Sequence, residues 1–206
     1  MILLLKLVLS YLLGSLSGSL LLGKIRGGVD IRTLGSGNAG GTNALRTQGF
    51  TFALGVVAID IAKGAIAAGV IAGLYAAGNH ITMLACGAAA VLGHVYPVWH
   101  GFRGGKGAAT YIGVIAVVHW PLLLPILLTW IAVVIATGFV GLATMSAGVA
   151  APIYYGLTSA DPQKELVVFL SLMAAFMIFT HRSNIARMLQ GIENRNRKLW
   201  LFGSRR

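Results

Sequence analysis

Seven apolar blocks, separated by short polar segments, decide what this chain can fold into. They run over about residues 2–22, 50–76, 81–99, 108–118, 122–137, 140–157 and 165–180. A hydrocarbon core about 30 Å thick takes about 20 apolar residues of helix to cross. In that medium a helix satisfies its own backbone, and an open strand does not. One such block is an accident; seven in succession predict an all-α, polytopic membrane helix bundle. Composition agrees, because only 10% of the 206 residues are charged where a soluble domain carries about 25%. The mean hydropathy is +0.82.

The fourth block is short. Its eleven residues reach about 17 Å, so it extends backwards through glycines, is a half-buried helix, or fuses with the next block into one helix over 108–137. The basic residues arbitrate. Lys24, Arg26, Arg32 and Arg46 follow the first block, Arg103 and Lys106 follow the third, and seven more lie within 182–206. The positive-inside rule sets all three groups in the cytoplasm. The number of crossings between Lys106 and Arg182 must then be even, which four blocks satisfy and a fused helix does not. The expectation is seven transmembrane helices in one domain, 1–206, with the N-terminus outside and the C-terminus cytoplasmic. The first block has no clear small-residue cleavage site and reads as a retained span rather than a secretion signal.

A formal charge of +11 raises nucleic acid as a partner, but basic residues placed between apolar blocks fit anionic headgroups instead. The single cysteine, Cys86, builds neither a disulfide nor a thiolate metal site. Gly14 with Gly18, and Gly69 with Gly73, have the small-residue spacing that lets helices approach closely in lipid.

Three polar constellations fall on the side assigned to the cytoplasm. The first is Gly35-Ser36-Gly37-Asn38-Ala39-Gly40-Gly41-Thr42-Asn43-Ala44-Leu45-Arg46, in a segment, 27–49, holding seven glycines. Glycine lets successive N–H groups converge on an anion. Ser36, Asn38, Thr42 and Asn43 add short donors, and the Arg46 guanidinium suits phosphate oxygens. The spacing is neither a Walker loop nor a dinucleotide fingerprint. The second constellation is Gly93-His94-Val95-Tyr96-Pro97, then Phe102-Arg103-Gly104-Gly105-Lys106-Gly107-Ala108-Ala109-Thr110. It has the composition of a phosphate loop with Lys106 as the point charge, followed by a helix N-terminus. His94 is either a ligand there or a hydrogen-bonded structural histidine.

The third constellation spans 181–195. If the last span continues in register, His181 and Asn184 share a face. Arg182 and Arg187 suit headgroups or substrate alike, and a basic neighbour can hold Glu193 as a structural tie. Inside the second block, Asp60 and Lys63 form an intramembrane charge pair. They serve either the site or the packing beneath it. The few, scattered acids offer no metal site.

Together these motifs resemble the bacterial acyl-phosphate-dependent glycerol-3-phosphate acyltransferases. The family's Ser-Gly-Asn-x-Gly-x-Thr-Asn is matched over 36–43. Its Gly-His-x-x-Pro and Phe-x-Gly-Gly-Lys-Gly-x-Ala-Thr are matched over 93–110, and its His-Arg-x-Asn-Ile-x-Arg with a following Gly-x-Glu over 181–193. Asp-x-x-Lys-Gly at 60–64 is also familiar from those proteins, and Met188 is a small departure where leucine is common. The resemblance implies acyl transfer from acyl phosphate to the 1-hydroxyl of sn-glycerol 3-phosphate, at the cytoplasmic face of a bacterial plasma membrane. Ser36, Arg46, Lys106, His181 and Asn184 would be the polar set lining the site. Gly35, Gly37, Asn38, Gly40, Thr42, Asn43, His94, Gly104, Gly105, Gly107 and Thr110 would contact substrate. Asp60, Lys63, Arg182, Arg187 and Glu193 would support them.

No cofactor, nucleic acid or obligate protein partner is implied; the partners are the two substrates and membrane lipids. The hydroxyl proton would pass to a substrate phosphate or to His181, since an imidazole with a reference pKa of about 6.5 suits proton transfer. A transporter of a phosphorylated solute is the alternative. Transporters often carry internal repeats and broken helices, and no repeat relates the halves of this sequence.

The orientation is testable by accessibility. Cysteines introduced as Arg32→Cys, Arg103→Cys and Arg195→Cys are expected to escape an impermeant thiol reagent in intact cells, and Asp161→Cys to react. Outside labelling at 103 and 195 overturns the topology.

Overall fold

The computed structural model describes residues 1–75, 79–196 and 199–201, and every regular element among them is helical. The expected end of the second span at Ala76, and the basic residues Arg197, Lys198, Arg205 and Arg206, lie outside the described residues. The chain divides into two compact units, Met1–Trp120 and Pro121–Arg206. The division falls where His119, Trp120 and Pro121 interrupt the apolar pattern; proline has no N–H to continue a helix.

Unit 1 contains α1 (Ile2–Gly14), α2 (Gly18–Ile25), α3 (Gly41–Gln48), α4 (Phe50–Ile66), α5 (His80–Val95) and α6 (Ala108–Val118). A π-helical turn, Ala67–Ile71, prolongs α4. Unit 2 contains α7 (Leu123–Thr137), α8 (Val140–Thr158), α9 (Lys164–Thr180) and α10 (Arg182–Leu189).

The protein is an all-α, membrane-spanning bundle. Among the described residues, four segments are long and apolar enough to cross: Phe50–Ile71, His80–His100, Trp120–Thr137 and Val140–Thr158. Two bent pairs raise the number to six when each pair counts as one span. The eleven-residue α6 stands apart from α7, so the fused helix over 108–137 does not form.

Two expectations of continuous helices are corrected. The first block is not one rod, because α1 and α2 meet at 48°. The last span does not continue in register, because α9 and α10 meet at 52°. Helical continuity therefore does not set His181 and Asn184 on one face; His181 occupies the break itself.

A broken helix in lipid must have its freed backbone groups bonded from elsewhere. In unit 1 the second span does this. Lys63 Nζ donates to the Leu16 carbonyl at 2.8 Å, and Asp60 Oδ1 accepts from the Gly18 amide at 3.3 Å. The two side chains pair at 2.9 Å and are 3% and 1% exposed. Lys6 plays a similar part near the π turn, where its Nζ donates to the Ala72 carbonyl at 2.7 Å.

Glycine sets how near the helices of unit 1 come. A Cβ at Gly64 would strike the Thr110 carbonyl, and one at Gly113 the Ile61 carbonyl, so α4 and α6 touch backbone to backbone. Gly14 meets Ala90 of α5, and Gly18 meets Val56 of α4. The expected pair Gly69 and Gly73 does not act as one. Gly69 meets the Val117 side chain, and Gly73 faces open space. The intervening π turn is wider than an α turn and rotates the following face away.

Gly113→Leu is therefore expected to destabilise the protein by about 2 kcal/mol or more, lowering its melting temperature in detergent. Gly73→Leu is expected to leave it unchanged. Equal melting temperatures for the two variants would sink the close-contact assignment.

Candidate active site

The first loop folds around one asparagine. Asn43, on α3, is 1% exposed. Its Nδ2 donates to the carbonyls of Ile31 and Leu34 at 2.9 and 3.0 Å, and its Oδ1 accepts from the Ser36 amide at 2.9 Å. Gly35 lies under that oxygen with φ +57°, where a Cβ would both collide and strain the backbone. Ser19 of α2 pins the other limb, donating from Oγ to the Ala39 carbonyl at 2.8 Å. The clamp leaves Ser36, Thr42 and Arg46 exposed, with Gly37 beside them, while Asn38 and Gly40 are half-buried. Thr42 and Arg46 are four residues apart on α3, which puts them on one face. Asn43, expected among the substrate contacts, has all three of these bonds directed into the loop.

Arg32, expected only as a marker of the cytoplasmic side, joins this loop to the next. Its guanidinium pairs with Asp30 at 2.8 Å and donates through one amino group to the carbonyls of His100 and Arg103 at 2.9 and 3.0 Å. The bond from Arg32 holds the Asp30 carboxyl below its ordinary value of 3.8. A depressed carboxylate pKa contributes stability above the unfolded value and loses it as pH falls through the folded one. The tie therefore persists through neutral and mildly acidic pH. The Asp-x-Arg spacing was the only sequence signal for it.

In the second loop the amides of Gly104 and Gly105 donate to the carbonyls of Val95 and His94, each at 3.1 Å. These two N–H groups fold the loop back on α5 and do not open into an anion nest. Both residues must be glycine, because a Cβ at 104 would strike the His94 carbonyl and one at 105 its ring Nε2. The donors on the far side are Gly107, at φ +92°, and the first turn of α6. Lys106 is half-buried between them. Thr110 is fully buried, and its hydroxyl has no partner among the described residues. His94 lies beneath the loop at 3% exposure, with Nδ1 2.8 Å from Lys63 Nζ and 3.4 Å from Asp60 Oδ1.

In unit 2, the ring Nδ1 of His181 lies 2.7 Å from the Met177 carbonyl. A carbonyl only accepts, so Nδ1 carries a hydrogen, and in the neutral ring the lone pair is on Nε2. Asn184 Nδ2 donates to Glu193 Oε1 at 2.7 Å, and Arg187 Nε donates to Glu193 Oε2 at 2.6 Å. Glu193 thus holds Asn184 and Arg187 together. Gly141 underlies Asn184, where a Cβ would crowd the amide. Arg182 is exposed and stacks on Phe179 at 4.5 Å. Among the described residues no three His, Cys, Asp or Glu side chains cluster as metal ligands.

These features define a polytopic membrane protein whose glycine-rich, basic loops are suited to phosphorylated substrates. Residues 4–191 match the family described as glycerol-3-phosphate acyltransferase. A glycerol-3-phosphate acyltransferase of Mesorhizobium japonicum is 41% identical over 193 residues, covering 94% of this chain and 95% of the relative. One of a Bradyrhizobium species is 42% identical over 189 residues, covering 92% of each. The crystal structure of PlsY (YgiH), an integral membrane glycerol 3-phosphate acyltransferase in its glycerol 3-phosphate form, superposes with a TM-score of 0.85. It is 34% identical, with 94% of each chain covered. Its lysophosphatidic acid form superposes with a TM-score of 0.83. This chain belongs to the glycerol-3-phosphate acyltransferase family, and it is an enzyme.

Asn43→Ala tests the clamp, because it strands one amide and two carbonyls whose bonds are worth about 1 kcal/mol each. Faster tryptic cleavage at Arg32 or Arg46 is expected, with activity down at least about tenfold and helix content retained. Unchanged proteolysis and turnover would refute the clamp.

Proposed function

We propose that the chain transfers a fatty acyl group from acyl phosphate to the 1-hydroxyl of sn-glycerol 3-phosphate. The products are 1-acyl-glycerol 3-phosphate (lysophosphatidic acid) and inorganic phosphate. The observation that carries this reading is the pairing of two glycine-rich basic loops through Arg32, with Ser36, Thr42 and Arg46 presented on one and Lys106 on the other. The names of the two solved forms of the relative, glycerol 3-phosphate and lysophosphatidic acid, correspond to an acceptor and a product of the same reaction.

The glycerol oxygen attacks the acyl carbonyl carbon, the bond from that carbon to the phosphate oxygen breaks, and phosphate leaves with the electron pair. The hydroxyl proton passes to a substrate phosphate or to Nε2 of His181, whose tautomer supplies a lone pair. The mixed anhydride is already activated, so alignment and charge stabilisation do most of the work. Lys106 and Arg46 neutralise phosphate charge, and Asn184, oriented by Glu193, directs an amide to the substrate. Ser36 donates a hydrogen bond and forms no acyl-enzyme, since the donor is already activated and a second anhydride-to-ester step would gain little.

The active face is cytoplasmic, in a bacterial plasma membrane. The short α6 completes seven spans, with the N-terminus outside. Broken helices also occur in transporters, but a transporter requires a sealed compartment and this reaction does not.

Purified protein in detergent, given palmitoyl phosphate and glycerol 3-phosphate, is expected to form lysophosphatidic acid. Failure to do so overturns the reading. Lys106→Met keeps the aliphatic stem, removes the charge, and should cut turnover at least about 100-fold with a higher KM for glycerol 3-phosphate. Radiolabelled acyl phosphate alone should leave no label on Ser36; stoichiometric label discharged by acceptor would establish a covalent route instead.

A further inference from the structure

Three acceptors surround one ammonium in unit 1. Lys63 Nζ lies 2.8 Å from the Leu16 carbonyl, 2.9 Å from Asp60 Oδ1 and 2.8 Å from His94 Nδ1. An ammonium has three N–H groups and no lone pair, so each hydrogen is committed and Nδ1 of His94 accepts. The hydrogen of the neutral ring then sits on Nε2. That nitrogen lies against Gly105, where any Cβ would displace it. The Gly105 amide in turn donates to the carbonyl of His94. The imidazole is thus held by a lysine on one edge and by the glycine turn on the other.

A charge pair that only cancels itself needs no histidine, and two ionisable groups in lipid are costly for a purely packing role. An imidazolium would set a second positive charge 2.8 Å from Lys63, and the one carboxylate within reach, Asp60 at 3.4 Å, is already paired with that lysine at 2.9 Å.

We propose that Asp60 and Lys63 are positioning residues that lock His94 as a neutral Nε2–H donor beneath the 104–106 turn. There the ring donates to a phosphate oxygen of the bound phosphorylated substrate. Asp60 holds the ammonium in place, Lys63 sets the tautomer, and neither touches the ligand. Only the identity of that ligand, glycerol 3-phosphate, rests on the acyl-transfer reading above.

The experiment uses the full chain in detergent with nitrogen-15 labelled histidine, His94→Asn serving to assign the resonance. Nε2–H with an unprotonated Nδ1 is expected for His94 at neutral pH, and its Nε2 signal should move when glycerol 3-phosphate is added. A protonated Nδ1, or no response to ligand, overturns the proposal.

Kinetics supply an independent arm. His94→Asn keeps an acceptor for Lys63 at the δ position but places nothing at ε. It should raise KM for glycerol 3-phosphate about tenfold or more, leaving kcat within about threefold and the melting temperature near that of the native protein. His94→Gln restores an N–H near the ε position and should recover much of that KM. Equal KM values in native protein and the Asn variant, or a change in melting temperature alone, reduce His94 to a packing residue. If neither variant folds, the His94 resonance of the native protein is assigned by elimination with His80→Asn, His100→Asn, His119→Asn and His181→Asn, and it decides. A native protein whose His94 signal responds to glycerol 3-phosphate but which makes no lysophosphatidic acid would refute the acyl-transfer reading and leave this one standing.

Discussion

One ammonium buried among helices organises unit 1. An isolated charge there would be prohibitive, but Lys63 has an acceptor for each of its three hydrogens. Those acceptors belong to different parts of the chain: the break after α1, the lysine's own helix, and the end of α5. The carboxylate that balances the charge also bonds the amide on the far side of the break. A single ion pair therefore permits the first span to bend, joins three helical segments, and braces the histidine under the second loop. Removing either partner would leave the other charged and unmet, a larger penalty than the pair's own net contribution.

Close contact has a second origin in bare backbone. Where Gly64 faces Thr110 and Gly113 faces Ile61, dispersion between main chains replaces the hydrophobic drive that lipid cannot supply. The same device recurs at a different scale in the loops. Gly105 admits an imidazole and Gly35 admits an amide oxygen. In both places the missing side chain lets one buried polar group approach closely.

Much of this was legible in the sequence, and its limits are physical. Apolar runs revealed the helices because burial in lipid is read from composition. They could not reveal the bends after Gly14 and at His181, since a bend costs no hydropathy when side chains, distant ones at the first break and neighbouring ones at the second, satisfy the exposed backbone. The loop motifs were recognisable as phosphate-suited from their glycines and cations, yet spacing alone did not separate groups facing a ligand from groups facing inward. Asn43 and the amides of Gly104 and Gly105 read as ligand contacts and are turned inward. Arg32 read as one positive charge among many, because its acceptors lie about seventy residues away and are main-chain atoms.

That last detail has a consequence for how freely the second loop can vary. Arg32 grips the carbonyls of residues 100 and 103, and every amino acid carries that oxygen. The side chains at those two positions are therefore released from the duty of holding the loops together. Bulk, charge or aromaticity can be exchanged there to suit the membrane surface or an approaching substrate without loosening the junction. Conversely, a substitution at 100 or 103 that preserves the backbone path keeps this tie, whereas a change at Arg32, or at the carboxylate of Asp30 that orients it, breaks it.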